Sequence, residues 1–346
     1  MRFQCPIPIQ DYDTVTLAHG GGGKLTQRLI RDLFAPTLDN PFLSELHDGA
    51  LLPDPGGRLA FSTDSFVVSP PFFPGGNIGD LAVHGTINDL AMCGARPLYL
   101  SLSMILEEGF RLKDLWEILV TIRERAEDAG VQVVTGDTKV VERGKGDGIF
   151  LNTAGIGVIP EGVDVRPSNI RPGDRILLNG PIAEHGMAIL SLREGLAFET
   201  ELQSDTANLW PLVERLLETG GDAVHALRDA TRGGVASALN ELAQASHTGI
   251  VIQEDAIPVR EDVRGACEIL GLDPLFVANE GRFLAFVAAE RAEDLLTVLR
   301  EHPLGRNAQI IGEVVEAHPG VVRMETWLGG SRVVEMLSGE QLPRIC

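Results

Sequence analysis

The chain contains 346 residues, of which 44% are hydrophobic, and carries a formal net charge of −20 at pH 7. A chain of this length is too long for one ordinary hydrophobic core, so two domains of about 150 residues each are expected. The negative charge disfavours binding to nucleic acid or to an anionic membrane surface, because both present phosphate groups. Most of the extra carboxylates are expected to serve solubility, although some of them could hold a metal ion.

The cysteines and the apolar segments indicate a cellular compartment. Cys5, Cys93, Cys267 and Cys346 are widely separated and form no C-x-x-C pair, which disfavours both a zinc site and a disulfide framework. The first ten residues lack the apolar core of a signal peptide, and no apolar run approaches the ~20 residues of a membrane-spanning helix. The sequence therefore predicts a protein of a reducing compartment, the cytoplasm.

Four consecutive glycines at positions 20–23 precede Lys24. Residues 25–34 carry apolar side chains at helical spacing, so the glycine loop is expected to open a helix. Free backbone amides and the helix dipole at such a position favour a phosphate group. The loop is not a Walker A motif, because Ala18 stands at the first glycine position of that motif. A flexible loop without a ligand is the alternative.

The next two segments place carboxylates in apolar surroundings. Residues 59–68 are typical of a strand, and Asp64 in its middle either faces solvent or helps to hold a cation. Residues 75–94 predict a helix that is apolar on nearly every side and therefore buried. Its polar residues Asp80, His84 and Asn88 form one stripe, and Asp89 lies apart from them. A divalent cation is one partner for such carboxylates; structural hydrogen bonds are the alternative.

The following segments alternate between strand and helix. Residues 98–106 predict a strand and residues 112–129 an amphipathic helix that ends at Gly130. Residues 131–139 predict a strand that leads into a turn, which puts Asp137 at a strand end with Lys139 two residues on. Residues 149–158 predict a further strand.

Residues 160–174 are rich in proline, glycine and polar side chains, and we place a domain boundary there. A strand at 175–180 and a helix at 183–193 follow. Arg232 lies in a second glycine turn that opens a helix, at a position suited to a phosphate. Glu280 lies just before a strand. The predicted division is residues 1–160, residues 171–337, and a flexible tail at 338–346; a helix at 290–300 and three short strands precede the tail.

The tail ends in Cys346, an unusual place for a structural thiol. Pro343 favours an extended backbone, and nine extended residues span at most about 30 Å. The segment is therefore interpreted as a short arm that carries a sulfur between a buried and an exposed position. A frayed end with an incidental cysteine is the alternative.

Five short motifs together with the two ends of the chain resemble a known group. The motifs are STDS at 62–65, NDLAMCGARP at 88–97, GDTKV at 136–140, DATRGGV at 229–235 and ANEGR at 278–282. They resemble the aminoimidazole ribonucleotide (AIR) synthetase-like, or PurM-like, superfamily, which includes selenophosphate synthetase and thiamine monophosphate kinase. The run HGGGGK and the ending PRIC resemble a hydrogenase maturation family within it. The resemblance implies a mixed α/β (α+β) fold of two AIR synthase-like domains.

The resemblance also implies an activity. Members of that family receive a carbamoyl group on the terminal cysteine from a partner carbamoyltransferase, HypF. They dehydrate the S-carboxamide to a thiocyanate with ATP and Mg²⁺, and the cyano group passes through a HypC–HypD complex to the iron of a nickel–iron hydrogenase. A homodimer formed through the N-terminal domains, with ATP in a cleft, is implied as well.

Residue roles follow from matching the motifs. Cys346 would carry the group, Glu280 would be the base and Lys139 the electrostatic stabiliser. The matched metal ligands are Asp48, Asp64, Asp89 and Asp137. The matched nucleotide contacts are these four aspartates with Gly20, Gly21, Gly22, Gly23, Lys24, Asn88, Thr138 and Arg232. One departure is His47, where relatives often carry a second acidic residue, so one metal ligand could be missing.

Two other functions remain open at this stage. A kinase or synthetase of the same superfamily acting on a free small molecule would make the tail incidental; a selenophosphate synthetase is disfavoured because the glycine loop lacks a cysteine or selenocysteine. A scaffold without catalysis, whose tail docks a maturation partner, is disfavoured by the matched aspartates and Lys139. An ATPase measurement separates the enzyme from the scaffold.

Overall fold

A computed structural model describes residues 12–45, 49–195, 202–336 and 344–346. In its first half, the chain alternates between short helices, strands and two long helices. These elements are α1 (Lys24–Leu29), α2 (Ala35–Thr37), α3 (Pro41–Ser44), β1 (Arg58–Phe66), β2 (Phe72–Phe73), β3 (Gly76–Asn77), α4 (Ile78–Met92), β4 (Arg96–Glu107), α5 (Leu112–Ala129), β5 (Gln132–Val141) and β6 (Ile149–Ile159). A π-helical turn, Ile30–Phe34, joins α1 to α2.

The second half is also mixed. Its elements are β7 (Arg175–Leu178), α6 (Glu184–Arg193), α7 (Trp210–Gly220), β8 (Val224–Asp229), α8 (Gly234–Ser246), β9 (Gly249–Gln253), α9 (Glu261–Leu270), β10 (Phe283–Val287), α10 (Ala292–Arg300), β11 (Gln309–Val315), β12 (Val322–Glu325) and β13 (Ser331–Val333). The predicted mixed α/β class is confirmed. The strands of the two halves lie on either side of residues 160–174, where the domain boundary was predicted.

Four of the strands described in the first half form a sheet in the order β1-β6-β4-β5, and β2 and β3 form a separate two-stranded sheet. Strand β4 runs parallel to β5 and antiparallel to β6, which is antiparallel to β1. Alternate side chains of the sheet are buried beneath α4, as the period of two in a strand requires. On the opposite face, Leu59, Phe61 and Ile105 are 55%, 69% and 44% exposed, so apolar side chains of this sheet face reach the surface.

Helix α4 connects the two halves of the protein. Nearly all of its side chains are buried, as predicted for residues 75–94. It packs on β1, β6 and α5 of the first half and on α7 and β8 of the second. Its last turn, with Ala91 and Met92, belongs to a hydrophobic core that is otherwise built largely from the second half. Residues on α4 are therefore placed between the two sheets.

The strands described in the second half form a sheet in the order β13-β12-β9-β11-β7-β10-β8. Helix α8 packs against β9 and β12, and α10 packs against β7 and β11. The predicted helix at 290–300 and the three strands after it are confirmed. None of the helices in the described residues is long and apolar enough to cross a membrane.

The prediction for residues 131–139 was wrong in one respect. Strand β5 continues to Val141, so Asp137 lies within a strand rather than at its end. Gly136 suggested a turn, but its role is close packing. A Cβ atom at this position would lie 2.4 Å from the carbonyl oxygen of Leu102 on β4.

Candidate active site

The last three residues of the chain lie docked between the two halves. The backbone N–H of Val67 donates to an oxygen of Cys346 at 2.9 Å, and Arg344 Nε donates to the Val67 carbonyl at 3.0 Å. Ile345 is 3% exposed and packs in the hydrophobic core of the first half, beside Ile189 of α6. The tail is therefore in its buried position; residues 337–343 lie outside the described part of the chain.

The Cys346 side chain is half-buried and lies among charged groups of both halves. Burial raises the pKa of its thiol, and the negative charge of Glu280 raises this pKa further, whereas Arg232 lowers it. A protonated thiol is a weak nucleophile. The docked position therefore suits a sulfur that already carries a group better than a sulfur that must attack one.

Glu280 is 4% exposed and lies in the turn before β10. Its backbone N–H donates to Asp205 Oδ1 at 3.0 Å, and the N–H of Gly281 donates to Asp205 Oδ2 at 3.2 Å. Asn279 holds the turn from the other side through its amide, which donates to the carbonyl of Ala230 at 2.7 Å. Burial, and then the charges of neighbouring carboxylates, raises the pKa of Glu280 well above its ordinary range.

Asp64 of β1 and Asp89 of α4 lie close together. A Cβ atom at Gly85 would lie 3.5 Å from Asp64 Oδ2 and 2.8 Å from the ring of Phe66, so glycine allows β1 to approach α4. The Ser62 hydroxyl donates to Asp89 Oδ2 at 2.6 Å. Burial raises the pKa of both carboxyls, and the charge of Asp89 raises that of Asp64 further.

Asp229, at the end of β8, completes this acidic cluster. Burial, followed by the charge of Asp89, raises the pKa of Asp229 to about 7. Asp229 was not among the site residues predicted from the sequence, although it is the first residue of the DATRGGV motif. Arg232 in the turn that follows lowers the pKa values of Asp64 and Asp89. The predicted phosphate-binding arginine thus lies near the acidic cluster.

The donor chemistry of the cluster fits a divalent cation, because carboxylates with raised pKa values are stabilised by added positive charge. No group of three or more His, Cys, Asp or Glu side chains in the described residues has the geometry to hold a metal ion. His47 and Asp48 lie outside those residues. Mg²⁺ usually takes one or two carboxylates together with phosphate oxygens and water, and Asp64 and Asp89 are two neighbouring carboxylates.

The polar stripe of α4 has protein partners. Asp80 accepts from Arg125 Nε at 2.8 Å, so this buried carboxylate has a cationic side chain where the sequence had suggested a metal. His84 Nδ1 lies 3.0 Å from the Thr206 hydroxyl. Asn88, predicted as a nucleotide contact, donates to the carbonyl of Ala207 at 3.0 Å. The stripe therefore fixes residues 206–207 of the second half against α4.

Asp137, Thr138 and Lys139 lie elsewhere. Lys139 Nζ is 2.7 Å from both carboxylate oxygens of Asp137, an exposed pair that lowers the pKa of Asp137. They lie on β5, whereas Asp64 lies on β1 at the opposite edge of the sheet. The two strands are three strand spacings, or roughly 14 Å, apart. Within one chain Lys139 therefore lies three strands away from Asp64, whereas the resemblance implied that it acts on the group carried by Cys346.

The glycine loop lies beside β5. A Cβ atom at Gly20 would lie 2.7 Å from the backbone nitrogen of Val140. The helix predicted after the loop is α1, and a cavity of about 280 Å³ separates it from β5. Side chains and backbone of both elements line the cavity, among them Thr26, Gln27, Gly136, Asp137 and Thr138. One chain thus presents two regions, one around this cavity and one around Cys346, Glu280 and the acidic cluster.

The comparisons with known proteins agree on one family. Residues 46–159 match the model of the AIR synthase related protein N-terminal domain, and residues 171–325 match that of the C-terminal domain. Carbamoyl dehydratase HypE of Azotobacter vinelandii is 56% identical over 333 residues, which cover 96% of this chain and 97% of that protein.

Solved structures extend the match to the fold. The crystal structure of hydrogenase maturation protein HypE in complex with ATP has a TM-score of 0.93 at 50% identity, over 96% of this chain and 100% of that one. The HypE chain of a HypE–HypF complex has a TM-score of 0.79 at 46% identity, over 91% of this chain and 100% of that one. The chain belongs to the carbamoyl dehydratase HypE family of hydrogenase maturation proteins.

Proposed function

We propose that this enzyme uses ATP to dehydrate an S-carboxamide on its own Cys346 to a thiocyanate, which supplies the cyanide ligand of a nickel–iron hydrogenase. The docked tail supports the proposal, because the charges of Glu280, Asp64 and Asp229 act on the Cys346 thiol. The reaction is balanced as R–S–C(O)NH₂ plus ATP giving R–S–C≡N, ADP and phosphate. The amide oxygen leaves in the phosphate, and both N–H protons are removed.

Glu280 is proposed as the base that takes an N–H proton. A base is most effective when its pKa lies near the working pH, and burial moves the pKa of Glu280 upward from that of an ordinary carboxyl. Its backbone is fixed through Asp205, so the carboxylate has a defined position. The raised pKa of the Cys346 thiol supports loading of the carbamoyl group in the undocked position.

ATP and Mg²⁺ are the proposed cofactors, and ATP supplies the phosphoryl group that turns the amide oxygen into a leaving group. Asp64 and Asp89 would hold Mg²⁺, and Arg232 would face phosphate oxygens. The cavity between α1 and β5 adds a second region with Asp137 and Thr138. The ATP complex of a 50% identical relative supports nucleotide binding by this fold.

A homodimer is part of the proposal. Leu59, Phe61 and Ile105 expose apolar side chains on the sheet face opposite α4, and we propose that this face packs on a second copy, because large exposed apolar patches mark interfaces. Asp137 shares this face, because it is in register with Ser103 of β4, which alternates with buried neighbours. Packing this face on a second copy would place Asp137 and Lys139 of both protomers at the interface.

The proposed partners are a carbamoyltransferase, HypF, that loads Cys346, and a HypC–HypD complex that accepts the cyano group. The HypE–HypF complex of a 46% identical relative supports the first of them. A carrier thiol must stay reduced between cycles, and the cytoplasm maintains that state. We therefore assign the reaction to the cytoplasm.

Mass spectrometry of the C-terminal peptide tests the proposal. The protein is incubated with a carbamoyltransferase, carbamoyl phosphate and Mg-ATP, and the peptide is expected to pass from carboxamide to thiocyanate. Cys346→Ala is expected to bind Mg-ATP and to yield no cyano product. Cyanide delivery to a hydrogenase precursor by Cys346→Ala would refute the proposal in favour of a free small-molecule substrate.

A further inference from the structure

Two side chains of α6 hold the backbone of the docked tail. His185 is completely buried, with Nε2 2.8 Å from the carbonyl oxygen of Ile345 and Nδ1 2.7 Å from the Ser204 hydroxyl. A carbonyl oxygen only accepts hydrogen bonds, so Nε2 carries the proton and Nδ1 accepts from Ser204. Burial lowers the pKa of His185, which keeps this neutral tautomer. The ring also meets Phe73 edge to face, with centroids 5.7 Å apart.

Arg193 lies eight residues further along α6, on the same side of the helix. Its guanidinium donates to the carbonyl of Ser69 in the first half and to the carbonyl of Arg344 in the tail. The Cys346 oxygen is held by the N–H of Val67. Each of the last three residues therefore has a backbone oxygen in a hydrogen bond, and α6 provides the donor for two of them.

These contacts do not depend on the side chains of the tail. They set its register, that is, which residue lies opposite Glu280. Arg344 has a φ of +54°, in the left-handed region, where a residue with a Cβ costs about 1–2 kcal/mol. The docked backbone thus needs its contacts to stay in place, whereas the undocked tail is free of this strain.

We propose that His185 and Arg193 are positioning residues that hold the tail in the register that presents the Cys346 sulfur to Glu280. The role of the docked tail in dehydration rests on the proposed function. The docking of the tail by His185 and Arg193 does not. Loss of one hydrogen bond to the tail changes the ratio of docked to undocked tail by about tenfold. With the docked tail in excess, the undocked fraction rises about tenfold. Dehydration then slows through loss of the register, while loading of the carbamoyl group, which uses the undocked tail, does not slow.

Thiol alkylation measures the docked population without any turnover. The full-length protein is treated with iodoacetamide and digested, and alkylation of each cysteine peptide is followed over time. Cys346 is protected while it is docked. Cys93 is exposed and normalises reagent activity, and Cys267 is buried and reports unfolding. One digest therefore separates undocking of the tail from loss of the fold.

His185→Leu removes the donor to Ile345 and is expected to raise Cys346 alkylation about tenfold, with Cys267 unchanged. His185→Gln can place an amide donor near the former Nε2 position, and is expected to restore most of the protection. Arg193→Gln is the second variant, on a half-exposed residue, and is expected to act like His185→Leu. In a loading assay, all three variants should acquire the carbamoyl group at least as fast as the wild type, and His185→Leu should dehydrate it more slowly, because the register of the docked sulfur is no longer fixed.

Wild-type alkylation of Cys346 in either His185→Leu or Arg193→Gln, with Cys267 still protected, would overturn the inference and leave the proposed function untouched. If Cys267 becomes alkylated in His185→Leu, the alkylation rate of Cys346 in that variant reflects unfolding. Arg193→Gln then decides, by the alkylation rate of Cys346 while Cys267 stays protected. Deprotected Cys346 in the variants, together with a wild type that forms no thiocyanate, would support the positioning role and refute the proposed function.

Discussion

Replacing Glu280 with glutamine is the sharpest test of the proposed chemistry. The change is isosteric, and the hydrogen bonds that hold the turn use the backbone N–H groups of Glu280 and Gly281 with Asp205. The variant should therefore fold and dock its tail. What it loses is a buried group able to accept a proton, and general-base catalysis is typically worth 10²–10⁴-fold.

The expected outcome has two parts. Dehydration should slow by about 10²–10⁴-fold, or about 3–5 kcal/mol in activation free energy, while the carbamoyl group still loads. The pKa of the Cys346 thiol should also fall, because Glu280 makes the largest charge contribution that raises it. The Cys346 thiolate should then form at lower pH than in the wild type.

Single-turnover mass spectrometry of the loaded C-terminal peptide measures the first part, and ultraviolet absorbance of the thiolate in a pH titration, with Cys346→Ala as the blank, measures the second. Glu290→Gln makes the same chemical change at an exposed position and serves as the matched control. Wild-type dehydration by Glu280→Gln would refute the assignment of the base. A normal rate combined with a lowered thiol pKa would show that Glu280 lies near the sulfur without accepting the N–H proton of the carboxamide.

Three further outcomes are expected. Asp89→Asn, which can still accept from Ser62, should weaken Mg-ATP binding with the fold intact; unchanged ATP turnover would remove Asp89 from the metal site. Phe61→Glu should give a monomer in sedimentation at micromolar concentration and lose turnover, and a persistent dimer would exclude this sheet face. Burial lowers the pKa of His84 to about 3, so between pH 6.5 and 5 only the unfolded state takes up this proton and the free energy of unfolding falls by about 2 kcal/mol. His84→Gln should lose that part of the acid sensitivity in urea unfolding at pH 7 and 5; an equal decrease in both proteins would contradict the pKa assignment.

Local patterns in the sequence were sufficient for much of the fold. The apolar period of residues 112–129, closed by Gly130, predicted α5 with its observed ends. The all-round apolar pattern of residues 75–94 predicted that α4 is buried, because no face of it suits water. The motifs around Asp64, Asp89 and Glu280 named side chains that the structure places near one another. Such features depend on near neighbours in the chain, so they are visible in the sequence.

Only the tertiary structure decided which of the candidates meet. Asp205 lies in a stretch without periodicity, and nothing in the sequence indicated that it would fix Glu280. A glycine in a sequence can mark either a turn or a point of close packing, and the sequence does not distinguish the two. At Gly136 the reason is close packing against β4. Strand order, which depends on contacts distant in sequence, put Lys139 at the far edge of the sheet from Asp64. The motifs thus identified the candidate side chains. Long-range packing determined where each of these side chains lies, and it brought the sulfur of the tail among them.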